Sequence, residues 1–423
     1  MRSSGARVLA LAFVLLAASI AGEPAAHAQR IRNEAGPLVT PIARTAIDDY
    51  AAILTLDPEQ KTLARSLYDG YRAAMRQAGK DAEEKIKAIE EGVRHENDAV
   101  MGDFRELKRK TTDVVRGYVA RTEGVEREFY GDLKAVLTPA QAERFGAVER
   151  ARRREVGLRL HLLSGEGVDL TRVAADLKLG APAPPDLAPA LAEYEAELDR
   201  LLRGKIASLG RLFEAAQKME ELDPEREPGP PKAMIDAVTE FHAECTKVRD
   251  ANRTHARRIA ALLPPPSGTA FSEKFRERSY PKIYRETAAD KTIAFARGLA
   301  DLSGDQRAEL DAVADSFARE SAMLNQKWAA ALDEMQEKLV EEFTKMFSGE
   351  GRRDENDPLK LACEARRDLD ERTKGRIARI FTATQIERLG EKKIMASEFD
   401  PDWEPDFDED KGWEDWDDDD DGK

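Results

Sequence analysis

The sequence predicts an all-α protein built as tandem long helical hairpins, three helices per unit, and three observations carry that prediction. Charged residues make up 35% of the chain and aromatics only 6%, with Ala, Leu, Glu and Arg abundant, as in long helices. No proline falls between Pro58 and Pro139 or between Pro281 and Pro358, whereas prolines gather at 182–189, 224–231 and 264–266. A proline inside a helix costs about 3 kcal/mol, so the gaps read as helices and the clusters as loops. Within the gaps, apolar residues recur at helical spacing: Leu63, Leu67, Tyr71 and Met75; Leu187, Leu191, Tyr194, Leu198 and Leu201; Leu310, Val313 and Phe317. Pro189 fits this pattern only in the first turn of its helix.

The elements follow in chain order. Residues 1–28 read as a secretory signal: Arg2 and Arg7 precede the apolar run Val8 to Ile20, and Ala26-His27-Ala28 gives a cleavage site before Gln29. The apolar run is shorter than the roughly 20 residues that span a bilayer. The expectation is a periplasmic or secreted chain with no membrane span after cleavage. Residues 29–44 are then an N-terminal extension. Helical unit 1 is placed at 45–160, unit 2 at 161–290 and unit 3 at 291–397, followed by an acidic, Trp-containing tail at 398–423.

The units are diverged copies of one another. Leu56, Leu179 and Leu302 stand 123 residues apart each time, and fifteen residues after each comes an aromatic: Tyr71, Tyr194 and Phe317. A second anchor closes each unit, where Leu133 to Leu137 matches Ile259 to Leu263 and Ile377 to Phe381. Each unit reads as a long helix, a loop, a second long helix, a tight turn and a shorter third helix. The loops are expected near Gly92 to Gly102, at Leu222 to Pro231 and at Ser348 to Pro358.

Four turns share a pattern: Leu56-Asp57-Pro58-Glu59-Gln60, Leu137-Thr138-Pro139-Ala140-Gln141, Leu302-Ser303-Gly304-Asp305-Gln306 and Phe381-Thr382-Ala383-Thr384-Gln385. Each is a capping box: Asp57, Thr138, Ser303 or Thr382 caps the helix start, and Gln60, Gln141, Gln306 or Gln385 at N3 reaches back to the N-cap amide. Pro58 and Pro139 fall at N1, where proline is welcome. The Leu or Phe before each box is expected to be buried.

Paired Leu-Thr-x-x-Gln motifs in an exported, charged, helical chain resemble the LTxxQ-motif periplasmic family, the Spy/CpxP-like envelope-stress chaperones and related heavy-metal-resistance sensors. The resemblance extends to Gln141-Ala-Glu-Arg-Phe145 and Gln385-Ile-Glu-Arg-Leu389. It implies a long helical hairpin able to dimerise into a curved cradle, and covers units 1 and 3. Unit 2 departs from it, with Ala183 and Ser267 where the glutamines would stand, and three units in tandem exceed the usual single one.

The expected function is a non-enzymatic extracytoplasmic helical binding protein, in its sharpest form chaperone-like toward unfolded or partner proteins. A metal-responsive sensor or buffer and a structural cell-surface spacer are the alternatives. No nucleophile elbow, phosphate loop or H-E-x-x-H motif is present, so no catalytic residue and no cofactor is assigned. His242 and Cys245, one helical turn apart, are the weak metal candidates. Cys363 and Val119 occupy the places equivalent to Cys245, which argues instead for a small buried apolar position. Arg150 to Arg154 and Lys108 to Lys110 read as solvated helix faces, and nothing suggests nucleic acid. The segment from Glu398 carries −13 of the net −15 and three of the four tryptophans, Trp403, Trp413 and Trp416. It reads as disordered, with weak Ca²⁺ association at Asp417, Asp419 and Asp421 as its expected ion chemistry.

Overall fold

The computed structural model describes residues 39–95, 102–177, 184–220, 231–348 and 357–391. The expected leader, most of the expected N-terminal extension and the acidic tail lie outside them. The described residues are α-helical with no strand. They form two compact bodies: residues 39–160 with 198–206, and residues 161–197 with 207–391.

In the N-terminal body the helices are α1 (Arg44–Ile53), α2 (Pro58–His95), α3 (Gly102–Ala135), α4 (Pro139–Ala142) and α5 (Phe145–Arg159). Helices α2 and α3 run antiparallel, since Gln60 meets Val136, Tyr71 meets Phe129 and Asp81 meets Arg121. Their break falls inside the expected Gly92–Gly102 window. The buried stripe of α2 is Ala64, Tyr68, Tyr71, Met75, Ala78, Ala82 and Ile86. Leu63 departs from the expected stripe and is exposed. The core is reached instead one position on, through Ala64 and Tyr68.

In the C-terminal body follow α6 (Leu170–Asp176), α7 (Leu187–Glu220), α8 (Lys232–Leu262), α9 (Pro265–Ser279), α10 (Ala288–Arg297), α11 (Gly304–Glu337), α12 (Leu339–Ser348), α13 (Pro358–Ile380) and α14 (Ala383–Glu391). Residues 198–206 of α7 belong to the N-terminal body. Two further antiparallel hairpins appear. Glu193 pairs with Arg258 and Arg211 with Glu240 along α7 and α8. Gln306 meets Ile380 and Asn325 meets Arg366 along α11 and α13. Pro189 sits in the first turn of α7.

Three corrections concern unit design. A short lead helix, α1, α6 or α10, precedes each hairpin, so the boundary expected at 290/291 cuts through α10. The extension drawn to residue 44 also ends inside the fold, because Val39, Thr40 and Ile42 are buried. Periodicity misses these pieces because they are short and irregular, and their partners are distant in sequence. The long first helix of unit 3 is also interrupted, at Lys338 between α11 and α12. Beside that break the Gln336 side chain accepts from the Ser164 amide at 2.8 Å.

Candidate functional site

All four capping boxes close. The Gln60 amide donates to Asp57 Oδ1 at 2.8 Å and the Asp57 amide to Gln60 Oε1 at 3.1 Å. Thr138 with Gln141, Ser303 with Gln306 and Thr382 with Gln385 repeat the exchange. Leu56, Leu302 and Phe381 are buried ahead of their boxes, while Leu137 is half-buried.

A capping box uses one face of the glutamine amide, and here the other face joins two boxes. Gln60 Nε2 donates to Gln141 Oε1 at 2.9 Å, and Gln141 Nε2 donates back to Gln60 Oε1 at 2.8 Å. The second proton of Gln60 goes to the Val136 carbonyl at 2.9 Å, and that of Gln141 to the Thr55 carbonyl at 3.3 Å. In the third hairpin Gln306 Nε2 donates to Gln385 Oε1 at 3.1 Å and to the Ile380 carbonyl at 2.9 Å, and Gln385 Nε2 to the Asp301 carbonyl at 3.4 Å. The accepting carbonyls stand at the same places in both hairpins, one residue before Leu56, Leu137, Leu302 and Phe381. Each pair is a clasp across the base of a hairpin. Capping logic finds the glutamines, but not that they meet.

Thr55, beside the first clasp, takes the left-handed conformation at φ 51°. It ends α1 in a Schellman turn, with Leu56 N–H to Ala51 O at 3.0 Å and Thr55 N–H to Ala52 O at 3.2 Å. A β-branched residue there is strained, and Arg144 Nη1 holds its hydroxyl at 3.1 Å. Unit 2 turns its second corner differently. Pro264 caps α9 without a side-chain bond, and a Cβ on Gly268 would come within 2.4 Å of the Ala260 carbonyl. Glycine makes that close turn where the box is missing.

A second set of residues lies at the hairpin waists. Eleven residues before Leu137, Leu263 and Phe381 stand Glu126, Asn252 and Asp370. In the first hairpin Arg152 is buried and bonds Glu126 at 2.7 Å, Glu155 at 2.9 Å and the Thr40 carbonyl. Burial works against the Arg152 charge, but the two carboxylates outweigh it and hold the guanidinium above its ordinary value. This overturns the reading of Arg150 to Arg154 as a solvated face. Arg153 is also engaged, at 2.7 Å from Asp199. In the second hairpin Asn252 Nδ2 donates to the Gly165, Glu166 and Val168 carbonyls at 2.9, 2.9 and 3.0 Å. In the third, Asp370 bonds Arg366 and accepts from Thr287 Oγ1 at 3.2 Å. Burial pushes the Asp370 carboxyl up, against the pull of Arg366.

The metal candidates are not brought together as a site. His242 Nε2 donates to the Gln336 carbonyl at 2.9 Å, and Cys245 is fully buried. Cys363 packs beside Trp328 and Leu359, its thiol pushed up by burial, and neither cysteine is in a disulfide. Among the described residues no group of three His, Cys, Asp or Glu could hold a metal ion, and no helix is long and apolar enough to cross a membrane. The expected Ca²⁺ association falls on the tail, outside the described residues. Compared with known proteins, the chain matches no family model, no curated protein and no solved structure.

Proposed function

We propose that this chain is a non-enzymatic, extracytoplasmic helical binding protein of the LTxxQ periplasmic type, chaperone-like toward unfolded or partner proteins. One observation carries the reading: two boxes 81 residues apart in sequence share a reciprocal amide pair, and a single amide bond joins the corresponding boxes of the third hairpin. Motifs that pair in space have a joint purpose, closing a hairpin so that its long outer faces stand as fixed surfaces. Those faces carry charges of both signs, many as i, i+4 pairs such as Lys232–Asp236 and Lys338–Glu334. Arrays of such hairpins make extended surfaces suited to binding other chains. The leader supports an extracytoplasmic place of action.

The test is aggregation of a chemically denatured client with the mature chain present, alongside calorimetric titration with Zn²⁺ and Cu²⁺. Suppression at near-stoichiometric ratios without metal is the expected result. Saturable metal heat that His242→Ala abolishes would replace the reading with a metal sensor. Neither effect would leave a structural spacer.

A further inference from the structure

Residues 39–43 belong to no helix or strand, yet Val39, Thr40, Pro41 and Ile42 are buried, Ile42 completely. Ile42 N–H donates to Tyr71 Oη at 3.0 Å, and the Ile42 carbonyl accepts from Tyr68 Oη at 2.9 Å. Ala43 N–H donates to Glu155 Oε1 at 3.0 Å, and the Thr40 carbonyl accepts from Arg152. Four polar side chains thus read the main chain of this segment, as a neighbouring β-strand would, while an apolar floor receives Ile42. Main-chain recognition tolerates many sequences. It requires an N–H at the Ile42 and Ala43 places, accepts the proline at Pro41, and favours small or β-branched apolar residues.

The second hairpin repeats part of the device on the residues that lead into α6. Leu170 N–H reaches Tyr194 Oη at 3.3 Å, and the Val168 carbonyl accepts from Asn252 Nδ2 at 3.0 Å. The third has Phe317 at the aromatic place, without a hydroxyl, and Arg366 stands over its ring at 5.1 Å. The aromatic hydroxyl meets a lead-in amide in both hairpins, so that contact is a property of the hairpin waist rather than an accident of one lead-in. Helix α1 is anchored separately by Ala46, Ile47, Tyr50 and Ala51, so residues 39–43 can leave without carrying α1 with them.

We propose that the waist formed by α2, α3 and α5 is a binding slot for an extended apolar segment of a non-native polypeptide, filled in the free protein by the chain's own residues 39–43. This rests on the client-binding reading and names the class of segment bound. Self-occupancy lowers apparent affinity by the fraction of molecules whose slot is open.

The experiment uses the full mature chain and a fluorescein-labelled peptide of residues 39–46, with anisotropy as the readout. Ile42→Ser removes the anchor of the resident strand, and binding is expected to tighten roughly tenfold as the open fraction rises. Adding Tyr71→Phe should cancel that gain, and a peptide with proline at the Ala43 place should bind more weakly to Ile42→Ser. Equal affinity for the wild type and Ile42→Ser, or for both peptides, overturns the slot. If Ile42→Ser loses helical circular dichroism, hydrogen exchange on the wild type decides: the Ile42 and Ala43 amides should lose protection when denatured client is added, and unchanged protection overturns the slot. A dimer that Ile42→Ser dissolves also overturns it, assigning the strand to a second copy. Client protection without peptide binding removes the slot and leaves the function standing. Peptide binding without client protection supports the slot and removes the chaperone reading.

Discussion

The first and third hairpins close alike and are tied at the waist differently. Both bases hold a glutamine clasp with matching carbonyl acceptors. At the first waist, Tyr71 and Glu126 work with Arg152, which arrives from α5 and grips main chain at Thr40. At the third, Phe317 and Asp370 work with Arg366, which stands one turn from Asp370 on the same helix. Its lead-in is held through the Thr287 side chain. Closing the base is therefore separable from gripping the lead-in strand. A lost hydroxyl and a relocated arginine turn a strand-binding waist into a self-contained one.

The largest effect expected from this difference is at the two arginines. Arg152→Ala strands Glu126 and Glu155 in a poorly solvated place, at a cost of about 3–5 kcal/mol, the usual penalty for breaking a buried ion pair from one side. Urea denaturation followed by circular dichroism measures the loss. Hydrogen exchange should rise along Thr40 to Ala43 at the same time. Arg366→Ala should cost a similar amount through Asp370, yet leave the amides before α10 as protected as in the wild type. If both variants deprotect their lead-ins equally, the distinction between the waists fails.

The clasps give a smaller effect and the clearest lesson about legibility. Each box could be found in the sequence because its partners lie within three residues, and helix starts depend on just such local bonds. The meeting of Gln60 with Gln141 could not, since it depends on the register of α2 against α3. Arg152 was hidden for the same reason: one arginine in a basic run looks solvated until Glu126 and Thr40 are brought to it. The lead-in strands carry no periodicity, and at Leu63 the expected stripe missed by one residue, the core running instead through Ala64 and Tyr68. What the sequence lacks throughout is the pairing of distant groups. Gln60→Ala and Gln141→Ala should each cost about 1–2 kcal/mol by opening a cap and orphaning an amide. The double variant should cost less than the two together by at least about 0.5 kcal/mol, the coupling expected of residues in contact. Strict additivity would mean that the boxes are local caps and nothing more. The Gln306 and Gln385 pair offers the same cycle in the C-terminal body.

The smallest effect is a difference in acid response between two buried carboxylates. Burial disfavours the Asp199 charge, but hydrogen bonds from Arg153 and Arg203 outweigh it and hold the carboxyl below its ordinary value. A depressed folded value means that Asp199 adds stability above the ordinary carboxylate range and loses it as pH falls through the folded value. Asp370 is shifted the other way, because burial outweighs Arg366 and Thr287 and one of its oxygens has no donor. Its folded state prefers the proton, so its contribution declines as pH rises from the ordinary value to the folded one. Comparing wild type with Asp199→Asn between about pH 3 and pH 7, the wild-type advantage should shrink on acidification. Against Asp370→Asn, which places at the third waist the residue the second already has as Asn252, the wild type should gain on acidification. Parallel trends in the two comparisons would show that the Arg366 pair holds Asp370 ionised as firmly as Arg153 and Arg203 hold Asp199, and the self-contained waist would then be a strong ion pair rather than a strained one.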